Sequence, residues 1–173
     1  MLRRFLTSLA AASPFLLAGC HPSFPVTVTG QTTVNASPIP VSLIPLDFAG
    51  FGGIDLSQTQ EFKNQGITKN EVQSVKLTGV KLTIASPSGA NFDFLTSLSF
   101  DVSAQGEPQK EVASLASVPR SATELDLTVA NVELVPYVTA PSMSVTSNAQ
   151  GELPPQNTTI NATMVFDVEP KIF

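Results

Sequence analysis

Ile160-Asn161-Ala162-Thr163-Met164-Val165-Phe166-Asp167-Val168 sets Ile160, Ala162, Met164, Phe166 and Val168 at every second position, and the run ends at Pro170. A period of two places those five side chains on one face of an extended chain, so the segment predicts a half-buried β-strand. The same pattern recurs toward the N-terminus. Met143 and Val145 mark a strand ahead of the turn Gly151-Glu152-Leu153-Pro154-Pro155, and Leu125, Leu127 and Val129 give a clean one. Val112 to Val118 is weaker. Leu98, Phe100, Val102 and Ala104 share one face of a strand in Phe94 to Ala104, between turns at Ser86-Pro87-Ser88-Gly89 and Gln105-Gly106-Glu107-Pro108. From Val75 to Ile84 the apolar positions are Val75 and Leu77, then Val80, Leu82 and Ile84. The parity slips across Gly79, which predicts a bulge.

Further out the signals mix. Val26 to Val34 alternates apolar and hydroxylic residues as a first strand would, whereas Pro38, Pro40 and Pro45 confine residues 37–46 to an edge strand or an extended connection. Phe48 to Gly53 reads as a glycine-rich aromatic turn and Asp55 to Phe62 as a polar strand near an edge. Thr68-Lys69-Asn70-Glu71 has the spacing of a capping box and predicts one helical turn, with another around Pro136 and Tyr137. No segment sustains a helical period over three turns. The chain is therefore expected to be all-β, an antiparallel sandwich of seven to nine strands with one or two short helical turns, with an up-and-down barrel as the alternative.

The N-terminus follows different rules. Arg3 and Arg4 precede an uncharged, mostly apolar run from Phe5 to Ala18, interrupted at Pro14, and Leu17-Ala18-Gly19-Cys20 follows on. This is the layout of an export signal, and the run is too short to cross about 30 Å of hydrocarbon. Cys20 is the only cysteine in the chain, so it has no disulfide partner. Residues 1–20 resemble bacterial lipoprotein signal peptides, position by position at Leu17, Ala18, Gly19 and Cys20. The resemblance implies that a peptidase recognises Leu17, Ala18 and Gly19, that the Cys20 thiol is acylated, and that the mature protein starts at Cys20. It also implies an outer-membrane location, because His21 rather than an aspartate follows the cysteine. The division expected is a signal peptide at 1–19, a lipidated tether at 20–25 and a single β-sandwich domain at 26–173. Residues 86–95 with the strand after them, and the Val72 to Ile84 strand, are similar to uncharacterised exported bacterial lipoproteins. That likeness carries no motif of known chemistry.

Composition narrows the function. Without Arg3 and Arg4, seven of the nine basic residues remain against fourteen acidic ones, and the formal charge moves from -5 to -7. The lysines are scattered, so the chain lacks the basic footprint that nucleic acid requires. His21, the one histidine, sits in the tether. Neither a Ser-His-Asp nor a Cys-His constellation can therefore be assembled inside the domain, nor a zinc or copper site of imidazoles and thiolates. Four weaker candidates remain. Asp93 and Asp101 are a carboxylate pair expected on adjacent parts of a hairpin. Asp55, Ser57, Thr59 and Glu61 present alternating oxygens but lack a calcium loop. Gly50 to Gly53 lacks the strand and helix of an anion cradle. Phe48, Phe51, Phe92 and Tyr137 lie near turns and form either an exposed patch or part of the core. The acceptor triplets at Asn35, Asn157 and Asn161 are chance matches in a bacterial context.

The expectation is thus a non-catalytic binding or structural module, without cofactor or metal, held to membrane lipid through Cys20 and facing an envelope protein or polymer. A carrier of a hydrophobic ligand and a carboxylate-dependent hydrolase are the alternatives.

Overall fold

The computed structural model describes residues 23–36, 43–44 and 46–171. Nine strand segments make two antiparallel sheets. One holds, in spatial order, β1 (Phe24–Val34), β9 (Thr158–Pro170), β3 (Val72–Ser86) and β6 (Glu124–Asp126). The other holds β2 (Leu43–Ile44), β8 (Met143–Gly151), β4 (Leu95–Ala104), β5 (Glu107–Leu115) and β7 (Thr128–Val129). The sheets stack face to face as a sandwich, and among the described residues the sheet edges do not join into a barrel.

β9 is the axis of the first sheet. It pairs along its length with β1 and β3, and Ile160, Ala162, Met164, Phe166 and Val168 are all buried while the residues between them are partly exposed. The expected bulge in β3 is present: the register against β9 shifts between Leu77 and Gly79, which keeps Val75, Leu77, Val80 and Leu82 all inward. The extra residue is Thr78, whose side chain is exposed and whose hydroxyl donates to the Val165 carbonyl at 3.1 Å. Leu98, Phe100 and Val102 of β4 face these residues from the second sheet. Phe100 stacks against Phe48 at 5.7 Å and Phe51 at 6.1 Å between ring centroids.

Three expectations need correction. Residues 55–62 are not a strand: a 3-10 turn spans Leu56–Gln58 and helix α1 spans Gln60–Gln65. The Asp55 carboxylate accepts the Ser57 amide at 3.0 Å, the Thr59 hydroxyl accepts the Phe62 amide at 3.3 Å, and Gly66 closes α1 in the left-handed region. Two successive N-caps outweigh a polar run that offers no alternating apolar face. The run Leu125, Leu127, Val129 is not one strand in one sheet either. β6 pairs with β3 and β7 with β5, so the chain changes sheet at Leu127, whose amide still donates to the Val80 carbonyl at 3.0 Å. Finally, β1 starts at Phe24, inside the stretch read as tether, because the buried Phe24 ring packs edge-on against Phe62.

β5 starts at Glu107, inside the turn expected at 105–108, and ends at Leu115, short of Val118; the two helical turns match. The Thr68 amide and hydroxyl both donate to the Glu71 carboxylate, at 2.7 and 2.8 Å, closing the capping box. Helix α2 spans Val135–Thr139 around Pro136 and Tyr137. Of residues 37–46, Leu43–Ile44 form the edge strand β2 beside β8; Pro38 and Pro40 lie outside the described residues, as does Pro45.

Candidate functional site

Two neighbouring depressions lie at one end of the sandwich, where β3 and β8 finish and β4 and β9 begin. β3 finishes at Ser86, and Pro87 to Asp93 form a loop that turns through Gly89 at φ 80°. Within it the Asn91 side-chain oxygen accepts the Asp93 amide at 3.1 Å, a local turn that asparagine favours. Phe92 is fully buried, and its amide donates to the Ala122 carbonyl at 2.8 Å. Across the loop, β8 finishes at Gly151, whose φ is +151° and which approaches the Phe94 backbone so closely that a Cβ would strike the Phe94 carbonyl. That contact lets the Glu152 amide donate to the same carbonyl at 2.8 Å and brings Pro154 and Pro155 opposite Pro87.

Between the two arms lies a cleft of about 360 Å³. Pro87, Pro154 and Pro155 give it apolar walls, and Asn91, Asp93 and Gln156 supply polar groups. A second depression of about 380 Å³ shares Asp93 and includes Thr96, Ser117 and Arg120. Asp93 is the hinge between them. Its carboxylate accepts the Ser121 amide at 2.5 Å and holds Ser121 at φ 58°, in the left-handed region that non-glycine residues seldom occupy. Rigid, mostly apolar walls with a few fixed polar groups are the ordinary make-up of a small binding cleft. A shallower polar groove of about 560 Å³ crosses the outer face of the first sheet, where the Gln31 side chain donates to the Asn161 side chain at 2.7 Å.

The structure separates the carboxylate pair. Asp93 precedes β4 and Asp101 lies within it, so they sit along one strand rather than facing each other across a hairpin. From Leu95 to Asp101 alone is about 20 Å at ~3.3 Å per residue. Asp101 accepts hydrogen bonds from Gln109 at 3.1 Å and Asn148 at 2.6 Å on the outer face of the second sheet. The calcium candidates also lose their common face, because Asp55, Ser57, Thr59 and Glu61 fall in helical turns. Burial alone would raise the Asp55 pKa, but hydrogen bonds from Ser57 and Lys69 and the Lys69 charge lower it overall, and Lys69 lies 3.0 Å away. Gly50, at φ +97°, lets its loop lie on β1, where a Cβ would sit 2.7 Å from the Thr29 carbonyl oxygen. The turn thereby seats Phe51 in the core. Phe48, Phe92 and Tyr137 are likewise buried, and the Tyr137 hydroxyl donates to the Pro108 carbonyl at 2.7 Å. Burial, then the nearby Glu107, raises the Tyr137 pKa.

Leu17, Ala18, Gly19, Cys20 and His21 lie outside the described residues. Among the described residues, no helix is long and apolar enough to cross a membrane, and no three His, Cys, Asp or Glu side chains are grouped to hold a metal ion. The cleft was hidden in the sequence. Its two walls are turns dense in proline and glycine, 60 or so residues apart, and only their density of chain-breaking residues hinted that either was more than a connection. Comparisons with protein-family models, with curated proteins and with solved structures find no match to this chain.

Proposed function

We propose that the protein is a bacterial envelope lipoprotein, moored to the outer membrane through acyl chains on Cys20, whose sandwich is a non-catalytic binding or structural module offering its cleft end to an envelope protein or polymer. The observation that carries this reading is the Leu17-Ala18-Gly19-Cys20 pattern followed, within four residues, by the buried start of β1 at Phe24. An export signal that leads into a folded strand after four residues would keep an acylated Cys20 within short reach of the domain. A single acyl chain binds reversibly, whereas two or more hold firmly.

The cleft supports surface binding. Its polar groups are amides, hydroxyls and one carboxylate fixed by backbone contacts. The interior between the sheets is filled by Phe51, Phe62, Phe92, Phe100 and Phe166, each almost fully buried, which favours a binding surface over a ligand-carrying cavity. Mature charge of -7 and scattered lysines argue against nucleic acid as partner.

The anchor is tested by Cys20→Ser in the full chain. The variant should leave the membrane fraction, stay folded and lose incorporation of radiolabelled fatty acid; unchanged fractionation refutes the anchor. The binding role is tested by a photoreactive residue at Gln156 in the native envelope. A discrete cross-linked partner supports it, and labelling no different from that of the same probe at the exposed Thr78 counts against the cleft.

A further inference from the structure

We infer that the end of the sandwich around Phe24 is a membrane-contacting face seated on lipid headgroups, and that the length of β1 holds the cleft clear of that surface. This rests on the anchor reading above. Cys20 is four residues before Phe24, so even fully extended the connection reaches no more than about 14 Å. The polar layer of one leaflet takes up roughly 5 to 8 Å of that reach. The domain therefore starts at the headgroups.

Several elements share this end. The Lys171 amide donates to the Glu71 carbonyl at 2.7 Å, and the Lys69 ammonium donates to the Ala140 carbonyl at 3.0 Å. The β4–β5 turn at Gln105–Gly106 lies here too, because Ala104 pairs with Met143 at the start of β8. The cleft is at the opposite end, because Val34 pairs with Thr158 at the start of β9, beside the Pro154–Pro155 arm. The eleven residues of β1 span about 33 Å between the two ends.

Charge keeps the module from lying down. Thr27, Thr29, Gln31 and Thr33 line the exposed face of β1, and Lys81 is held between Glu124 and Asp126, at 3.0 and 3.2 Å, on the same sheet. These faces offer no basic stripe to an anionic bilayer, and a domain of charge -7 is repelled by one. Attachment depends on the acyl chains, and contact is confined to the tethered end.

The test uses acylated full-length protein in vesicles of phosphatidylethanolamine and phosphatidylglycerol carrying a headgroup quencher. Acylation blocks Cys20, the only native thiol, so a fluorophore can be placed singly on N70C, Q105C or S88C. Quenching at N70C and Q105C should exceed that at S88C about fivefold, since roughly 30 Å of strand separates the ends, and molar salt, which screens the repulsion that keeps the module upright, should narrow that difference while the protein stays on the vesicles. Equal quenching at all three sites, with Cys20 shown to be acylated by mass spectrometry, overturns the orientation while the anchor stands. A bare Cys20 thiol overturns the anchor reading and the orientation with it.

Discussion

The Asp93 carboxylate accepts the backbone amide of Ser121 at 2.5 Å and fastens the loop after β3 to the loop before β6. The Phe92 amide, donating to the Ala122 carbonyl at 2.8 Å, joins the same two loops, so loss of the Asp93 carboxylate frees the left-handed backbone at Ser121, in the rim between the two depressions, while the loops stay paired. Asp93→Ala should speed hydrogen exchange at the Ser121 amide while lowering global stability by only about 1 kcal/mol, since the pair is exposed. Unchanged exchange at Ser121 would show that the rim is held by other contacts.

Gly151 should tolerate no side chain. Its φ of +151° and its approach to the Phe94 carbonyl leave no room for a Cβ, so Gly151→Ala must displace the start of β4 or the Pro154–Pro155 arm. The expected loss is about 3 kcal/mol in denaturant unfolding, with weaker cross-linking from Gln156. A fully stable variant would mean that the backbone here is compliant.

Phe100 joins Phe48 and Phe51 in the aromatic cluster between the sheets and is fully buried. Phe100→Ala should cost about 3 to 5 kcal/mol through lost transfer energy and the cavity left behind. Thr29→Ala on the exposed face of β1 should change stability by less than about 0.5 kcal/mol. Thermal unfolding of both variants checks the contrast, and similar values would contradict the assignment of inner and outer faces.

Glu133 gives the fold an acid-sensitive joint. Its carboxylate accepts the Val75, Leu134 and Val135 amides at 2.8, 3.0 and 3.1 Å and the Ser74 hydroxyl at 2.7 Å, tying the start of α2 to β3. Burial by itself would raise its pKa, but these four hydrogen bonds outweigh burial and leave it below the ordinary glutamate value. A depressed folded-state pKa means that the stabilisation is complete above the unfolded-state value, near 4.3, and is lost as the pH falls through the folded-state value. Glu133→Gln should therefore be less stable than the parent at neutral pH by about 1 kcal/mol, discounted for exposure, and the gap should narrow below about pH 4. A gap independent of pH would assign the effect to shape rather than charge.

Much of the sandwich was legible because strand alternation is a local property. Ile160 to Val168 fixes its own inner face whatever lies opposite, and the parity slip at Gly79 announces its own bulge. Thr68 and Glu71 close their box within three residues, and Pro136 falls in the first turn of the helix expected around it. The polar run from Asp55 to Phe62 misled for the same reason: no strand period was present to compete with the caps at Asp55 and Thr59.

What the order of residues determined alone was which side chains turn inward and where the chain must bend, since backbone sterics and hydrophobic periodicity act over a few neighbours. Tertiary structure decided which bends meet. The run from Glu124 to Val129 divides between sheets because β3 and β5 each offer it an edge, and Asp93 reaches Ser121 because the packing of Phe92 beneath both loops brings them together. The cleft is made of such distant meetings, so only the assembled sandwich defines it.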